Sequence, residues 1–442
     1  MAPRPTGEIG VDQEPTNNVH ATDRFRPADY AMAAAVMALM GAFFWAIRGT
    51  TGYGGLQGGL LAGLGWAVLW YGFSLMGGAA RFRPYGSARM IAAITFGVAL
   101  GGMTGYGVYI AWVQGQFYLD YPDGAREISM WTGFAMLFVC GLHWGGNAGA
   151  FMAWCAPKTP PGLIGWLARI AAGVAGAVLA GWVVRAFPHW FLPFYAEGIY
   201  EVEEYATCRR AVGSIRNIAP HVGLFLGFLS FEAIRRDWRA VSVMLIMGLG
   251  FAIFFTAGGA WHWLHGSALR VDWWKNWEMT IGLGGGLAFG LVFYLYNRPS
   301  LAQPKPVTVK ERIWGAGVTL WLGTTLALIN AYNGFVQLNQ LEWAEYVGRW
   351  PELVVLIPTT AVLAIHIGRA FTRNGETMPV SMRTCAIISV LIIIAGYIVS
   401  APIPMQLANW VLVTLYTLYI GVSLALLRSL WTRTAETAAD LG

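Results

Sequence analysis

The amino-acid sequence predicts an all-α, polytopic membrane protein of about twelve transmembrane helices. Three observations carry this. Of 442 residues, 56% are hydrophobic and only 12% are charged, whereas an ordinary soluble domain carries about 25% charged residues. Apolar stretches of roughly 18 to 25 residues recur along the whole chain, and each can cross a hydrocarbon core as a helix that satisfies its own backbone hydrogen bonds. The connecting segments alternate in basic character, as the topology of such a chain requires. The shorter segments of alternating polarity that mark a β-barrel are not seen.

Taken in order, spans are predicted near 29–47, 55–76, 90–113, 130–154, 162–186, 218–235, 240–260, 277–297, 313–333, 351–369, 384–400 and 406–427. Residues 1–28 are polar and carry Pro3, Pro5, Pro15 and Pro27, so they read as a disordered tail; no short apolar run before a small-residue cleavage site marks a signal peptide. With this tail and the last residues, 428–442, in the cytoplasm of a cell (inner) membrane, 20 of the 29 Lys and Arg fall on the inner side. Arg81, Arg83 and Arg89 form one such group, Arg235, Arg236 and Arg239 another. The net charge of +6 is therefore read as a topology signal, and nucleic acid is excluded as a partner. Cys140 and Cys385 fall inside helices and Cys155 at an inner helix end, so Cys208 alone lies outside and no disulfide framework is expected.

Glycine is patterned. Gly55, Gly59 and Gly63, then Gly141, Gly145 and Gly149, then Gly282, Gly286 and Gly290 each follow a four-residue spacing, which lays small residues along one helix face for close packing. The same faces could join the chain to a homo- or hetero-oligomeric partner. GLQGGLLAGLGW from Gly55 echoes GLGGGLAFGLVFY from Gly282, and YIAWVQ from Tyr109 echoes YNGFVQ from Tyr332. The offsets, 227 and 223 positions, suggest two six-helix halves, 29–235 and 236–427, in the same orientation. The Pro-containing basic segment 298–312 has the composition of a linker between halves, although it follows the eighth span and not the sixth. In helix count, terminus placement and this half-to-half similarity the chain resembles the major facilitator superfamily. That resemblance implies a cavity lined by spans one, four, seven and ten. The loop GGAARFRPYGSAR from Gly77 departs from the acidic, glycine-anchored motif which that superfamily carries between spans two and three, and no family is recognised from motifs.

Polar groups inside spans are costly and mark candidate sites. Arg48 closes the first span; its fork of donors suits a carboxylate or phosphate beside the backbone N–H groups that open the second, while the plainer reading is a side chain reaching for headgroups. His143 and Asn147 lie four apart on one face of the fourth span and need partners at that depth, in a polar cavity or in a hydrogen bond between helices. The segment WHWLHGSALRVDWWKNWE from Trp261 holds Trp261, His262, His265, four further tryptophans, of which Trp273, Trp274 and Trp277 cluster, and Glu278. His262, His265 and Glu278 could share a metal, but no full ligand signature is present, so no metal or other cofactor is expected; the tryptophans serve as a wall for an aromatic solute or as interfacial anchors. The outer segment 187–217 reads as a loop with an interfacial stretch around Trp190 and Phe194. Glu232 reads as a helix-end residue in reach of water.

The leading expectation is a transporter of a small anionic or polar organic solute working by alternating access, with Arg48, His143, Asn147, Trp261, His262 and Glu278 contacting the solute. A membrane-embedded transferase or hydrolase is the second reading, with His143, His262 or His265 as general base and Glu278 as partner on a lipid-linked substrate; no nucleophile elbow or metal motif supports it. A scaffold subunit held by the glycine faces is the third.

Overall fold

The structure is a computed structural model that describes residues 25–48, 56–76, 79–101, 106–158, 161–264, 273–317 and 420–432, with isolated positions between 321 and 418. Most of the predicted tails, and most of the last four predicted spans, lie outside the described residues.

The described chain is helical apart from one hairpin. Its helices are α1 (Pro27–Arg48), α2 (Leu56–Leu75), α3 (Arg89–Gly101), α4 (Tyr109–Val113), α5 (Met130–Trp154), α6 (Leu163–Ala186), α7 (Ala206–Ile234), α8 (Trp238–Gly259), α9 (Trp273–Tyr296) and α10 (Val309–Ala316), with a further short apolar helix at Ile420–Thr432. Six of them, α1, α2 and α6 to α9, are long and apolar enough to cross a membrane. The 25-residue α5 stands outside that group because glycines, tryptophans, His143 and Asn147 dilute its apolar character. The first eight predicted spans all fall on helices, the third divided between α3 and α4.

Glycine decides which helices meet. Gly141, Gly145 and Gly149 seat α5 on α8, where an added Cβ would stand 2.6 Å from the Ala252 Cα or 2.1 Å from the Met247 carbonyl oxygen. Gly282, Gly286 and Gly290 seat α9 on α1 against Gly41, Met37 and Ala34, and Gly59 and Gly63 seat α2 on α3 against Ala99 and Thr95. Backbones this close exclude any larger residue. These glycine faces are thus occupied within the chain.

Between the paired helices lies an aromatic core without solvent contact, built on Trp45, Trp66, Trp144, Phe251, Phe255 and Trp277. The ring centroids of Trp45 and Trp144 are 4.5 Å apart and those of Tyr106 and Trp277 5.1 Å, edge-to-face contacts of the kind that aromatic quadrupoles favour. The indoles also spend their N–H groups well: Trp66 donates to the Met37 carbonyl, Trp144 to Val98 and Trp277 to Phe255. In contrast, α6 turns Leu167, Ile170, Val174, Val178 and Leu179 outward, an apolar face suited to acyl chains.

The two ends of the bundle differ. At one end, β1 (Gln116–Asp120) and β2 (Asp123–Glu127) form an antiparallel hairpin whose turn Tyr121–Pro122 is followed by Gly124 at φ +65°, a left-handed conformation natural to glycine. Short 3-10 turns at Pro188–Trp190 and Tyr195–Glu197 pack beside it, with Phe117 against Phe194 and Arg126 paired to Glu197. We call this the hairpin end, and the other, where α1 begins and α9 finishes, the tail end.

Candidate functional site

At the hairpin end a cavity of about 780 Å³ opens between α4, β1, the start of α7 and the link from α8 to α9. Its walls are aromatic, with Trp263, Trp273, Trp274, Tyr118 and Tyr121, and its polar groups are His262, Gln114, Gln116, Thr207 and Arg210. Each wall residue is held in place. Trp263 donates its indole N–H to the Val113 carbonyl at 2.9 Å, and Gln114 donates to the His262 carbonyl at 2.9 Å. The hairpin is fixed to α7 where the Tyr121 N–H donates to the Thr207 hydroxyl.

Behind the cavity stands an ion pair with almost no solvent contact. Lys275 donates to the Glu278 carboxylate at 2.7 Å and to the Ala46 carbonyl at 2.8 Å, while the Trp274 indole donates to the other carboxylate oxygen at 3.1 Å. Glu278 is 1% exposed. It therefore fixes Trp274, while Lys275 ties the start of α9 to the end of α1, and two charges paired so closely offset much of the cost of taking them out of water. The imidazole of His262 leans on Trp274 and Trp277, with centroids 5.7 and 5.2 Å away.

Only part of the predicted set converges here. His262 lines the cavity; Glu278 supports its wall from behind; Trp261 lies outside it, stacked on Trp273 and donating to the Thr280 hydroxyl at 3.0 Å. His143 and Asn147 sit elsewhere, on the α5 face that meets α7. Asn147 donates to the His221 carbonyl at 3.3 Å, and the rings of His143 and His221 are 5.8 Å apart. Both nitrogens of His143, and the Asn147 side-chain oxygen, lack a hydrogen-bond partner among the described residues. The side chain of Arg48, like His265, lies outside the described residues. Among the described residues no three His, Cys, Asp or Glu gather as metal ligands.

Arg210 and Thr207 are cavity residues that sequence reasoning assigned to the outer loop 187–217. The structure corrects that reading: α7 starts at Ala206, so the predicted loop 187–217 loses its last twelve positions to helix. The signal was present, since Cys208, Ala211, Ile215 and Ile218 recur at helical spacing and are buried; the arginines between them masked it. From this helix Arg210 reaches the cavity beside Gly107 and Trp274, and it forms no ion pair with another described residue. A guanidinium bounded by indoles is a site for an anion attached to a flat ring, through charge and through cation–π contact.

The tail end is closed by polar contacts. Arg83, with no solvent contact, donates to the Tyr30 hydroxyl at 3.0 Å and the Asn297 carbonyl at 2.7 Å, with its guanidinium 5.0 Å from the Phe25 ring centre. Asn297 donates to Ser74 and accepts from the Tyr85 N–H; Glu311 accepts from the Ala88 N–H at 2.7 Å; Lys305 and Arg81 exchange hydrogen bonds. Burial holds the Lys305 ammonium below its ordinary pKa and pushes the nearby Cys155 thiol up to about 12. Glu232 also departs from expectation. It has no solvent contact and pairs with Arg169 at 2.6 Å, under Trp154 and Trp166.

The chain matches no known family. Neither a curated protein nor a solved structure is similar to it either.

Proposed function

We propose that this is a multi-pass membrane transporter that receives a small organic anion bearing an aromatic ring in the hairpin-end cavity and releases it at the tail end by alternating access. The observation that carries the reading is the cavity itself: indole walls, amide and hydroxyl groups for orientation, and Arg210, which forms no ion pair with another described residue, together the composition of a small-molecule site. A closed tail end beside an open hairpin end suits one state of such a cycle. The twelve-helix plan in two halves belongs to the same proposal. It draws support from α2 and α9, which run parallel and put Trp66 against Phe289, Trp70 against Phe293 and Ser74 against Asn297. Each pair is 223 positions apart, the offset of the Tyr109 and Tyr332 motifs, as counterpart residues facing one another across an axis along the membrane normal would be.

Purified protein in liposomes should take up one or more radiolabelled aromatic carboxylates, with saturation, and should not take up the corresponding neutral amides. Arg210→Gln should lower uptake by about tenfold or more, the worth of one charge-assisted contact. Uptake untouched by that substitution would remove Arg210 and the cavity from the account. The enzyme reading keeps one specific observation in its favour, the His262 ring against Trp274, whose indole donates to the buried Glu278 carboxylate, and it predicts chemical conversion of a bound lipid-linked substrate that stops in His262→Gln.

A further inference from the structure

A second cavity, of about 430 Å³, lies away from the first, between the last turn of α6 and the first half of α7. We propose that it binds the phosphate-bearing headgroup of an anionic phospholipid.

Charge is the first argument. Arg185 comes from α6, and Arg209 and Arg216 from α7, so three guanidiniums border one crevice against a single carboxylate, Glu201. Arg209 also donates to the Glu203 carbonyl. Arg185 and Arg216 form no ion pair with any described residue, although the neighbouring segment offers Glu203 and Glu204 as well. Two helices thus present uncompensated positive charge to the same space, and guanidiniums match phosphate oxygens with paired donors.

Position is the second argument. The floor is apolar, made by Val184, Leu192, Val212 and Ile215, and Tyr195 and Tyr200 stand over it. Below the crevice α6 exposes Val174, Val178 and Leu179, the face suited to acyl chains; at its level Trp182 and Trp190 are more than half exposed, and Phe187 stacks on Trp190 at 4.5 Å. Exposed indoles at the end of an apolar helix face mark headgroup depth. A phosphate at the arginines would leave its chains lying along α6. The predicted reading of this region as an interfacial segment fits the same placement.

Gly213 supplies a clean test, because it borders the crevice and a Cβ added there would meet nothing within 4 Å. Gly213→Leu therefore fills the space with the arginines retained, and Arg185→Gln/Arg216→Gln removes charge with the space retained. Thermal stability and native mass spectra of the detergent-purified full chain would be recorded with phosphatidylglycerol, with phosphatidylcholine of the same acyl chains, and with inorganic phosphate. The expected result is that phosphatidylglycerol stabilises and stays bound, phosphatidylcholine does neither, and both variants weaken the effect by about tenfold. Variant-sensitive stabilisation by inorganic phosphate alone would support the anion chemistry and identify a soluble ligand as its source. Equal effects of the two lipids, or a phosphatidylglycerol effect that survives in either variant, would overturn the proposal.

Discussion

Lys275 and Glu278 are three positions apart and share almost no water, so each charge is tolerated because the other is present. Glu278→Gln should cost about 3–5 kcal/mol, as expected when one member of a buried pair is removed. The double change Lys275→Met/Glu278→Leu should recover much of that loss, and unfolding of the three proteins in detergent measures both. Lys305 gives a pH dependence. Its burial lowers the folded-state pKa below 10.5, so the unfolded chain binds the proton more tightly, and stability from this residue rises as pH climbs from that lowered value towards 10.5. Lys305→Met should flatten the rise. Cys155, with its thiol raised to about 12, should resist alkylation near neutral pH in the folded protein. At this scale the sequence was partly legible. Lys275 and Glu278 are close enough in the chain for their pairing to be read, whereas Glu232 and Arg169 meet across 63 positions, and no local pattern shows that both leave water together.

Elements were more legible, because glycine spacing and apolar length are properties of a continuous stretch. The three four-residue glycine patterns each became a helix contact, and the first eight predicted spans each became helix. What composition could not show was the partner: Gly141 and Gly282 have the same kind of neighbours in sequence, yet one faces α8 and the other α1. The start of α7 was lost for a different reason, its charged residues outweighing the buried stripe between them. The element-scale prediction concerns Gly286, whose added Cβ would lie 2.0 Å from the Met37 carbonyl oxygen. Gly286→Ala should destabilise by about 1–3 kcal/mol through overpacking, while Gly213→Ala should leave thermal stability unchanged or slightly raised, since alanine also favours helix.

Among the described residues, polar groups separate into four places: the hairpin-end cavity, the arginine crevice between α6 and α7, the α5–α7 contact of His143, Asn147 and His221, and the closed tail end. The middle of the described bundle is filled by aromatic rings. The sequence puts His262 and Glu278 in one neighbourhood, because they flank a single short connection. It could not separate them from His143 and Asn147, because helix depth is legible and helix rotation about a neighbour is not. On the proposed transport function, solute passage through this bundle would require the aromatic core or the tail-end contacts to rearrange. Quenching of tryptophan fluorescence by an aromatic carboxylate, titrated into the native protein and into Arg210→Gln, tests the central claim most directly. Saturable quenching that weakens about tenfold in the variant, and that the neutral amide does not reproduce, is the result predicted; equal quenching by amide and carboxylate, or an unchanged titration in Arg210→Gln, would contradict it.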